Sequence, residues 1–278
     1  RREVSRERSE SIFDAKPKIR DEADAIALPN PVGYLKADNL TFTYPGAKAP
    51  ALNRVSFSIE PGQTVAIVGP IGSGKTTLAM ALPRLLDIDS KQLFLDGHDV
   101  INIALPDLRG AIAFVPQDSF LFSTTIKNNI RYGNPLAEQP EVQRAAKEAQ
   151  LHSEILNFPQ QYKTVVGERG ITLSGGQRQR SALSRALLVD APILVLDDAL
   201  SSVDNLTATQ ILANLSNETH KKTVIFVSHQ MSAAASCDRI LVMDHGHIAQ
   251  SGTHNELVTQ PGLYQDLWNQ HKLKEILN

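Results

Sequence analysis

Residues 69–77 form a glycine-rich loop whose composition suits it to binding phosphate groups. The loop consists of Gly69, Pro70, Ile71, Gly72, Ser73, Gly74, Lys75, Thr76 and Thr77, and it fits the pattern G-x-x-x-x-G-K-[ST]. Glycines let backbone N–H groups turn toward one concave site, and the helix expected next would direct its positive end there. We expect Lys75 to reach the β- and γ-phosphates of a nucleotide and the Thr76 hydroxyl to ligate Mg²⁺.

A carboxylate follows a buried strand further along the chain. Asp197 comes directly after the apolar run at 193–196. The carboxyl end of a buried parallel strand lies at the ligand-binding edge of the sheet. Asp197 is therefore predicted to hold the Mg²⁺ through water, in the manner of a Walker B aspartate.

The elements that must position these groups are predicted from apolar periodicity. Short runs that are nearly all apolar predict parallel strands with both faces covered by helices; they occur at 65–68, 112–115, 193–196, 224–227 and 240–243. Before them, Leu40, Phe42 and Tyr44 alternate with polar residues, as do Val55, Phe57 and Ile59, which predicts half-buried strands. About seventy residues without a strong strand signal predict a helical subdomain at about 119–190.

Composition excludes several classes of protein. The 278 residues carry a formal net charge of −2 and are 42% hydrophobic, which is ordinary for a globular protein and argues against a nucleic-acid-binding surface. The single cysteine, Cys237, excludes an intrachain disulfide and a multi-cysteine zinc site. No apolar run approaches the ~18 residues of a membrane span. Because residue 1 is Arg, we interpret the chain as part of a longer protein.

The first residues differ from the rest in composition. Residues 1–24 hold many charges of both signs and few apolar side chains, so they cannot form a core. Pro29, Pro31 and Gly33 then interrupt the chain. We predict a linker at 1–31 and the globular domain at 32–278. Near the other end, Thr253 and Glu256 have the spacing of a capping box, which gives the neighbouring His254 a structural role.

At Leu173-Ser174-Gly175-Gly176-Gln177 the sequence resembles the signature motif of the ATP-binding domains of ABC transporters. The motif precedes a predicted helix, so the Ser174 hydroxyl and the two glycine amides would lie at an anion-binding N-terminus. In that family the motif binds the γ-phosphate of the ATP held by the opposite subunit. The resemblance therefore implies a head-to-tail pair of ATP-binding domains that enclose two ATP molecules.

Further positions match the family in chain order. Tyr44 resembles the aromatic residue that stacks on adenine; the less favoured alternative is a core tyrosine at the end of a strand. Gln117 resembles the glutamine that contacts Mg²⁺ and senses the membrane domain. His229 resembles the switch histidine near the γ-phosphate, and Asp204 resembles the aspartate of the D-loop. The strand pattern and the resemblance together predict an α/β fold: a P-loop NTPase (RecA-like) core with an antiparallel β subdomain and an inserted helical subdomain.

Two segments narrow the resemblance to exporters. Residues 164–170 resemble the exporter X-loop, in which Glu168 would couple to the membrane helices, and residues 5–14 resemble the linker after the last membrane helix. The resemblance implies a half-transporter that binds ATP and Mg²⁺ and that is fused to or associated with membrane helices. It would lie on the cytoplasmic face of a membrane, such as a bacterial inner membrane, and would bind no nucleic acid. The transported substrate is not encoded here.

One position departs from the family pattern. The family usually has Glu after the Walker B aspartate, as the base that polarises the attacking water, and this chain has Asp198. A carboxylate one methylene shorter predicts a site that binds ATP and hydrolyses it slowly. Because the signature motif is intact, we favour one half of a heterodimer whose partner carries the Glu. The alternative is a homodimer in which Asp198 works as the base.

Two other functions share these motifs. ATPases of DNA repair and chromosome maintenance carry similar signatures, but they need long coiled-coil insertions, and no sustained heptads occur here. A regulatory module that binds ATP without turnover is the third hypothesis. Lys75, Thr76, Asp197 and His229 are all present, which favours catalysis.

Overall fold

A computed structural model describes residues 17–167, 171–216 and 222–277 of the chain. In this part of the chain the strands are β1 (Leu35–Phe42), β2 (Leu52–Ile59), β3 (Thr64–Val68), β4 (Leu93–Leu95), β5 (His98–Asp99), β6 (Ile112–Val115), β7 (Ile193–Asp197), β8 (Thr223–Val227), β9 (Arg239–Asp244) and β10 (His247–Gly252). The helices are α1 (Lys75–Ala81), α2 (Leu105–Ala111), α3 (Ile126–Arg131), α4 (Gln139–Glu148), α5 (His152–Leu156), α6 (Gly175–Leu188), α7 (Asn205–Leu215), α8 (Met231–Ala235), α9 (His254–Thr259) and α10 (Leu263–Leu277).

The larger sheet has six strands in the order β10-β9-β3-β8-β7-β6. All pairs are parallel except β10 with β9. Every residue of β3, β7 and β8 is buried, because helices cover one face and helices together with the smaller sheet cover the other. The prediction of buried parallel strands is confirmed.

Alternate residues of these strands supply two separate hydrophobic cores. Ala66 and Phe226 face the core that includes α6, whereas Val65 and Ile225 face the core that includes α1 and the smaller sheet. The two-residue period of a strand therefore appears as two packed faces rather than as one buried and one solvated face.

The smaller sheet is antiparallel, with the order β2-β1-β4-β5. Leu35 pairs with Ile59 on one side and with Leu95 on the other, and all three are buried. This sheet confirms the half-buried strands predicted from alternation. Tyr44, however, lies two residues beyond the end of β1, which stops at Phe42. The prediction from alternation had included Tyr44 in this strand and was wrong at that position.

The segment between β6 and β7 is helical and contains α3 to α6. Helix α6 is its centre, since ten of its fourteen residues are buried and both α3 and α4 pack against it. The fold class is thus confirmed as a P-loop NTPase fold with an added antiparallel sheet and helical insertion. The limits at 119–190 and at 31/32 remain predictions.

Residues 21–34 pack along the smaller sheet and α2. Ile26 forms a bridge with Ile103, and the Asp21 carboxylate accepts a hydrogen bond from Leu105 N at 2.7 Å. Asp96 accepts from the backbone of Tyr34 at 2.8 Å. Of the predicted linker, residues 1–16, and with them the exporter-like segment 5–14, lie outside the described residues. Within the described ranges, no helix is long and apolar enough to cross a bilayer.

The C-terminal helices confirm a local prediction. Thr253 and Glu256 form the predicted capping box at the start of α9. His254 donates to or accepts from Tyr264 OH at 2.8 Å, and its ring lies 4.5 Å from that of Trp268. Burial lowers the pKa of His254, and the nearby Lys272 lowers it further. The structural role predicted for His254 agrees with these contacts.

Candidate active site

The loop at 69–77 connects the end of β3 to the start of α1. Gly69 has φ +148° and Gly74 has φ +100°, values that side chains other than glycine rarely adopt. A Cβ on Gly69 would collide with Met243 O, and one on Gly74 would lie 2.5 Å from Ala51 O. Glycine is therefore required at both positions by conformation and by space, and the loop lies close against the main chain of neighbouring strands.

Lys75 is almost entirely buried beneath this loop. Its ammonium group donates to Gly69 O at 2.9 Å and to Pro70 O at 2.7 Å. Burial lowers the pKa of Lys75, while the charges of Asp198 and Asp197 act in the opposite direction. The result is a cation held against two carbonyl oxygens of the glycine-rich loop, which places a positive charge where the loop would bind polyphosphate.

Ser73 supplies an observation that tests whether the loop fits a phosphate. Its hydroxyl is buried and has no hydrogen-bond partner among the described residues. A buried hydroxyl without a partner costs about 1–3 kcal/mol. A phosphate oxygen accepted into the loop would satisfy this hydroxyl, so the residues present fit the group.

Two side-chain oxygens that could bind a metal ion lie together here: those of Asp197, the last residue of β7, and of Thr76 in α1. The Thr76 hydroxyl donates to Asp197 Oδ1 at 3.0 Å. Burial raises the pKa of Asp197; the Thr76 hydrogen bond opposes this, the charge of Asp198 adds to it, and Lys75 opposes it. Hydroxyl and carboxylate oxygens are the ligands that Mg²⁺ prefers, so this donor set fits the ion.

Asp198 has an unusual backbone conformation. Its φ is +50°, in the left-handed region that aspartate enters more readily than longer side chains. Its N–H donates to Val227 O at 2.9 Å, and its Oδ2 accepts from Gln117 Nε2 at 3.3 Å. The turn thus directs the carboxylate of Asp198 toward Gln117, two residues after the end of β6.

His229 follows β8 and faces the same cleft. Burial lowers the pKa of His229, the charge of Lys75 lowers it further, and Asp198 acts in the opposite direction. The imidazole is therefore predominantly neutral at pH 7, with one nitrogen able to accept and the other able to donate a hydrogen bond.

The Tyr44 ring stands at the outer end of the cleft. It packs edge-to-face on Phe42, with centroids 4.9 Å apart and an interplanar angle of 86°. Its hydroxyl lies 3.3 Å from Thr77 Oγ1, and 39% of the residue is exposed. One edge is fixed by protein contacts, which leaves ring surface available for stacking.

These groups meet because of the strand order. Residues 69–77 follow β3, His229 follows β8, Asp197 and Asp198 end or follow β7, and Gln117 follows β6. Since β3, β8, β7 and β6 are successive neighbours, their carboxyl ends form one edge. The cleft there has a volume of about 580 Å³ and is lined by Tyr44, Ala51, Ile71, Gly72, Gly74, Lys75, Thr76, Thr77, Gln117, Asp197, Asp198, Val227 and His229.

The sequence did not indicate two of the lining residues. Ala51 and Val227 lie in the wall of the cleft. The position of Ala51 depends on the packing of the smaller sheet against the loop, for which the sequence holds no signal. Val227 precedes Ser228 and His229 at the end of a predicted strand, so the strand prediction could have included it.

The signature-like residues lie elsewhere. Ser174 is the N-cap of α6, where Gln177 N donates to Ser174 Oγ at 3.1 Å and Ser174 N donates to Gln177 Oε1 at 2.9 Å. Gly176 packs against the main chain of Ser202. Residues 174–177 do not line the cleft at the loop, so one chain does not bring the two predicted parts of the site together.

The loop at 200–204 is held by two glutamines that sequence reasoning missed. Gln179 Nε2 donates to Ser201 Oγ at 2.9 Å, and Gln230 Nε2 donates to Val203 O at 2.7 Å. Asp204 caps α7 by accepting from Thr207 N at 2.9 Å, which lowers the pKa of Asp204. The loop at 200–204 is therefore held in place by Gln179 of α6 on one side and by Gln230, the residue after His229, on the other.

Comparisons with known proteins agree with this geometry. The family model described as ABC transporter matches residues 52–201. The chain is 43% identical over 262 residues to the multidrug resistance-like ATP-binding protein MdlA of Escherichia coli, covering 94% of this chain and 44% of that protein. It is 43% identical over 270 residues to the ATP-dependent lipid A-core flippase of Dechloromonas aromatica, covering 96% and 46%.

A solved structure is similar over the same extent. The structure of a bacterial Atm1-family ABC exporter with ATP bound superposes with a TM-score of 0.88 at 39% identity, covering 94% of this chain and 46% of that one. The chain thus spans a little under half the length of each of these relatives.

Proposed function

Because this chain belongs to the ABC transporter family, we propose that it is the ATP-binding and ATP-hydrolysing domain that drives an exporter. The observation that carries the proposal is the single cleft onto which Lys75, Thr76, Asp197 and His229 converge at the carboxyl edge of the sheet. The exporter assignment rests on one relative named as a lipid A-core flippase and on a similar structure named as an ABC exporter.

The residues of the cleft divide the work of holding ATP. Tyr44 would stack on adenine, the backbone amides of residues 69–77 would surround the phosphates, and Lys75 would neutralise charge between them. Thr76, Asp197 and Gln117 would hold Mg²⁺. When bound, the ion supplies charge neutralisation on the β- and γ-phosphates.

Hydrolysis requires a group that orients the attacking water. Asp198 has the charge for this role, and His229 can hydrogen-bond the γ-phosphate in its neutral form. The left-handed turn at Asp198 directs a short carboxylate toward Gln117. We expect this site to bind ATP well and to hydrolyse it slowly.

The separation of residues 174–177 from the cleft supports a dimer in which both chains contribute residues to each ATP site. Each composite site would take the loop, Asp197 and His229 from one chain and the signature residues from the other. A heterodimer whose partner carries a glutamate after its Walker B aspartate is the form we propose. A homodimer with Asp198 as the base is the second form, and the intact signature motif suits both.

The proposed setting is the cytoplasmic face of a membrane. Membrane helices, fused or associated, would be the second partner and would select the exported substrate. The relatives are about twice the length of this chain, which leaves room for such helices in the whole protein.

The test is ATP binding and Mg-ATPase activity of this chain beside Lys75→Ala. Loss of the buried ammonium should abolish hydrolysis and weaken ATP binding, while the melting temperature shows whether the variant folds. Arg54→Ala is the matched control, since it removes an exposed cation outside the cleft. Equal affinity for ATP in Lys75→Ala and the unmodified chain would contradict the proposal.

A further inference from the structure

Glu154 of α5 contacts the signature residues from outside any motif. Its Oε2 accepts from Gln177 Nε2 at 2.9 Å, and its Oε1 accepts from Arg180 Nη1 at 2.6 Å. Gln177 and Arg180 belong to α6, the helix that begins directly after Ser174. One carboxylate therefore binds two residues within the first two turns of this helix.

The contact with Gln177 fixes which way its amide points. Gln177 Oε1 accepts from Ser174 N at 2.9 Å, which is half of the capping box at the helix start. The amide can keep this oxygen in place only if its nitrogen faces away from Ser174. A negatively charged acceptor at the position of Glu154 favours that orientation and opposes the flipped one, which would bring two oxygens together.

Arg180 holds Glu154 in its charged form and in position. Arg180 is only 9% exposed, and its guanidinium also donates to Gln150 O at 2.6 Å and to Gly176 O at 3.3 Å. Burial alone would raise the pKa of Glu154, but the hydrogen bonds from Arg180 and Gln177 bring it below the ordinary value. The carboxylate therefore stays ionised at neutral pH and accepts from both donors.

We propose that Glu154 is a positioning residue for the signature loop, acting through Gln177 to orient the Ser174 hydroxyl and the following glycine amides toward the phosphate held by a second chain. The inference rests on the proposed function for its consequence, although the contacts that carry it are within one chain. Small displacements of a binding group of about 1 Å can cost up to ~100-fold in rate.

The first experiment measures the capping box itself. Hydrogen exchange of the Ser174 and Gln177 amides is compared in the unmodified chain, Glu154→Ala, Glu154→Gln and the control Glu148→Ala. Glu148 pairs with exposed Arg144 at 3.6 Å on α4, so its removal is a matched loss of a helical carboxylate. We expect roughly 2- to 10-fold faster exchange at both amides in Glu154→Ala, a smaller rise in Glu154→Gln, and no change in the control.

A purely structural role for Glu154 gives a different pattern. The exchange rates of amides throughout α5 and α6 would then rise, and the melting temperature would fall. The exchange rates of the Ser174 and Gln177 amides, relative to those of the other α6 amides, would stay constant. That result, or unchanged exchange at Ser174 and Gln177, overturns the proposal.

The second experiment asks which composite site is affected. Chains carrying Glu154→Ala are mixed with an excess of Lys75→Ala chains, so each working loop meets an intact signature. In the other mixture, unmodified chains meet an excess of chains carrying both substitutions, so each working loop meets a signature without Glu154. We expect kcat to be about 5- to 100-fold lower in the second mixture, with KM for ATP nearly equal.

Equal rates in the two mixtures overturn the proposal. If unmodified chains mixed with Lys75→Ala chains show no hydrolysis, the homodimer fails and the heterodimer stays the proposed form, and the exchange measurement alone then decides the role of Glu154. The two failures are therefore distinguishable.

Discussion

Replacing Asp198 by Glu should make ATP hydrolysis faster. Glutamate extends the carboxylate by at most about 1.5 Å, the length of one carbon–carbon bond. A general base contributes about 10²- to 10⁴-fold, and an error of about 1 Å can remove up to ~100-fold of this. We therefore expect kcat to rise about 10- to 100-fold, which corresponds to about 1.4–2.7 kcal/mol of barrier.

The same substitution should lower stability slightly. Residue 198 has φ +50°, and a left-handed residue without the local hydrogen bonding of Asp costs about 1–2 kcal/mol. The extended carboxylate would also leave the 3.3 Å contact with Gln117. A faster but less stable variant is the expected combination, because the turn suits the shorter side chain and catalysis requires the longer one.

The assay is steady-state Mg-ATPase activity at saturating ATP, with the melting temperature measured on the same samples. Lys75→Ala gives the blank, and Asp198→Asn gives the rate without a carboxylate at this position. Equal rates for Asp198 and Glu, both well above those of Asp198→Asn, would refute the reasoning. Asp198 would then be an adequate base, and the homodimer would replace the heterodimer as the proposed form.

Three further predictions follow from local geometry. Tyr44→Ala should raise the Kd for ATP by about 5- to 150-fold, from ~1–3 kcal/mol of stacking, whereas Tyr44→Phe should bind ATP nearly normally in a titration. Gly74→Ala should lower the free energy of unfolding in denaturant more than Gly46→Ala: both have positive φ, but only at Gly74 does the new Cβ meet main chain, at 2.5 Å; equal losses would contradict the steric argument. Because His254 has a lowered pKa in the fold and the ordinary 6.5 when unfolded, its stabilising contribution should be present above pH 6.5 and be lost as the pH falls through the folded value. His254→Gln should therefore show a shallower loss of stability on acidification, and an unchanged slope would refute this.

The features that sequence determined are those written in contiguous residues. The loop at 69–77 and the capping box at Thr253 depend on backbone conformation and on hydrogen bonds between residues a few positions apart. The buried strands depend on apolar runs that leave no polar face. Both kinds of signal are local, which is why fold class and family could be inferred before any tertiary contact was known.

Tertiary structure decided which of these groups meet. Gln117 and Asp198 are 81 positions apart and come within 3.3 Å only because β6 and β7 are neighbours. The left-handed turn that directs Asp198 has no counterpart in the motif, since the motif specifies a residue type and not its φ. Likewise, the need for glycine at 74 is set partly by Ala51 O, which lies directly before β2 of the smaller sheet.

Glu154 is the clearest example of a residue whose contacts could not be predicted from the sequence. It lies in no motif, and its distance of 23 positions from Gln177 matches no periodicity of helix or strand. A side-chain amide has two ends of similar shape, and its orientation is set by whichever charged or polar neighbours packing brings to it. The sequence predicted that Ser174 lies at the start of a helix, whereas only the packing of α5 on α6 supplied the carboxylate that holds the Gln177 amide in one orientation.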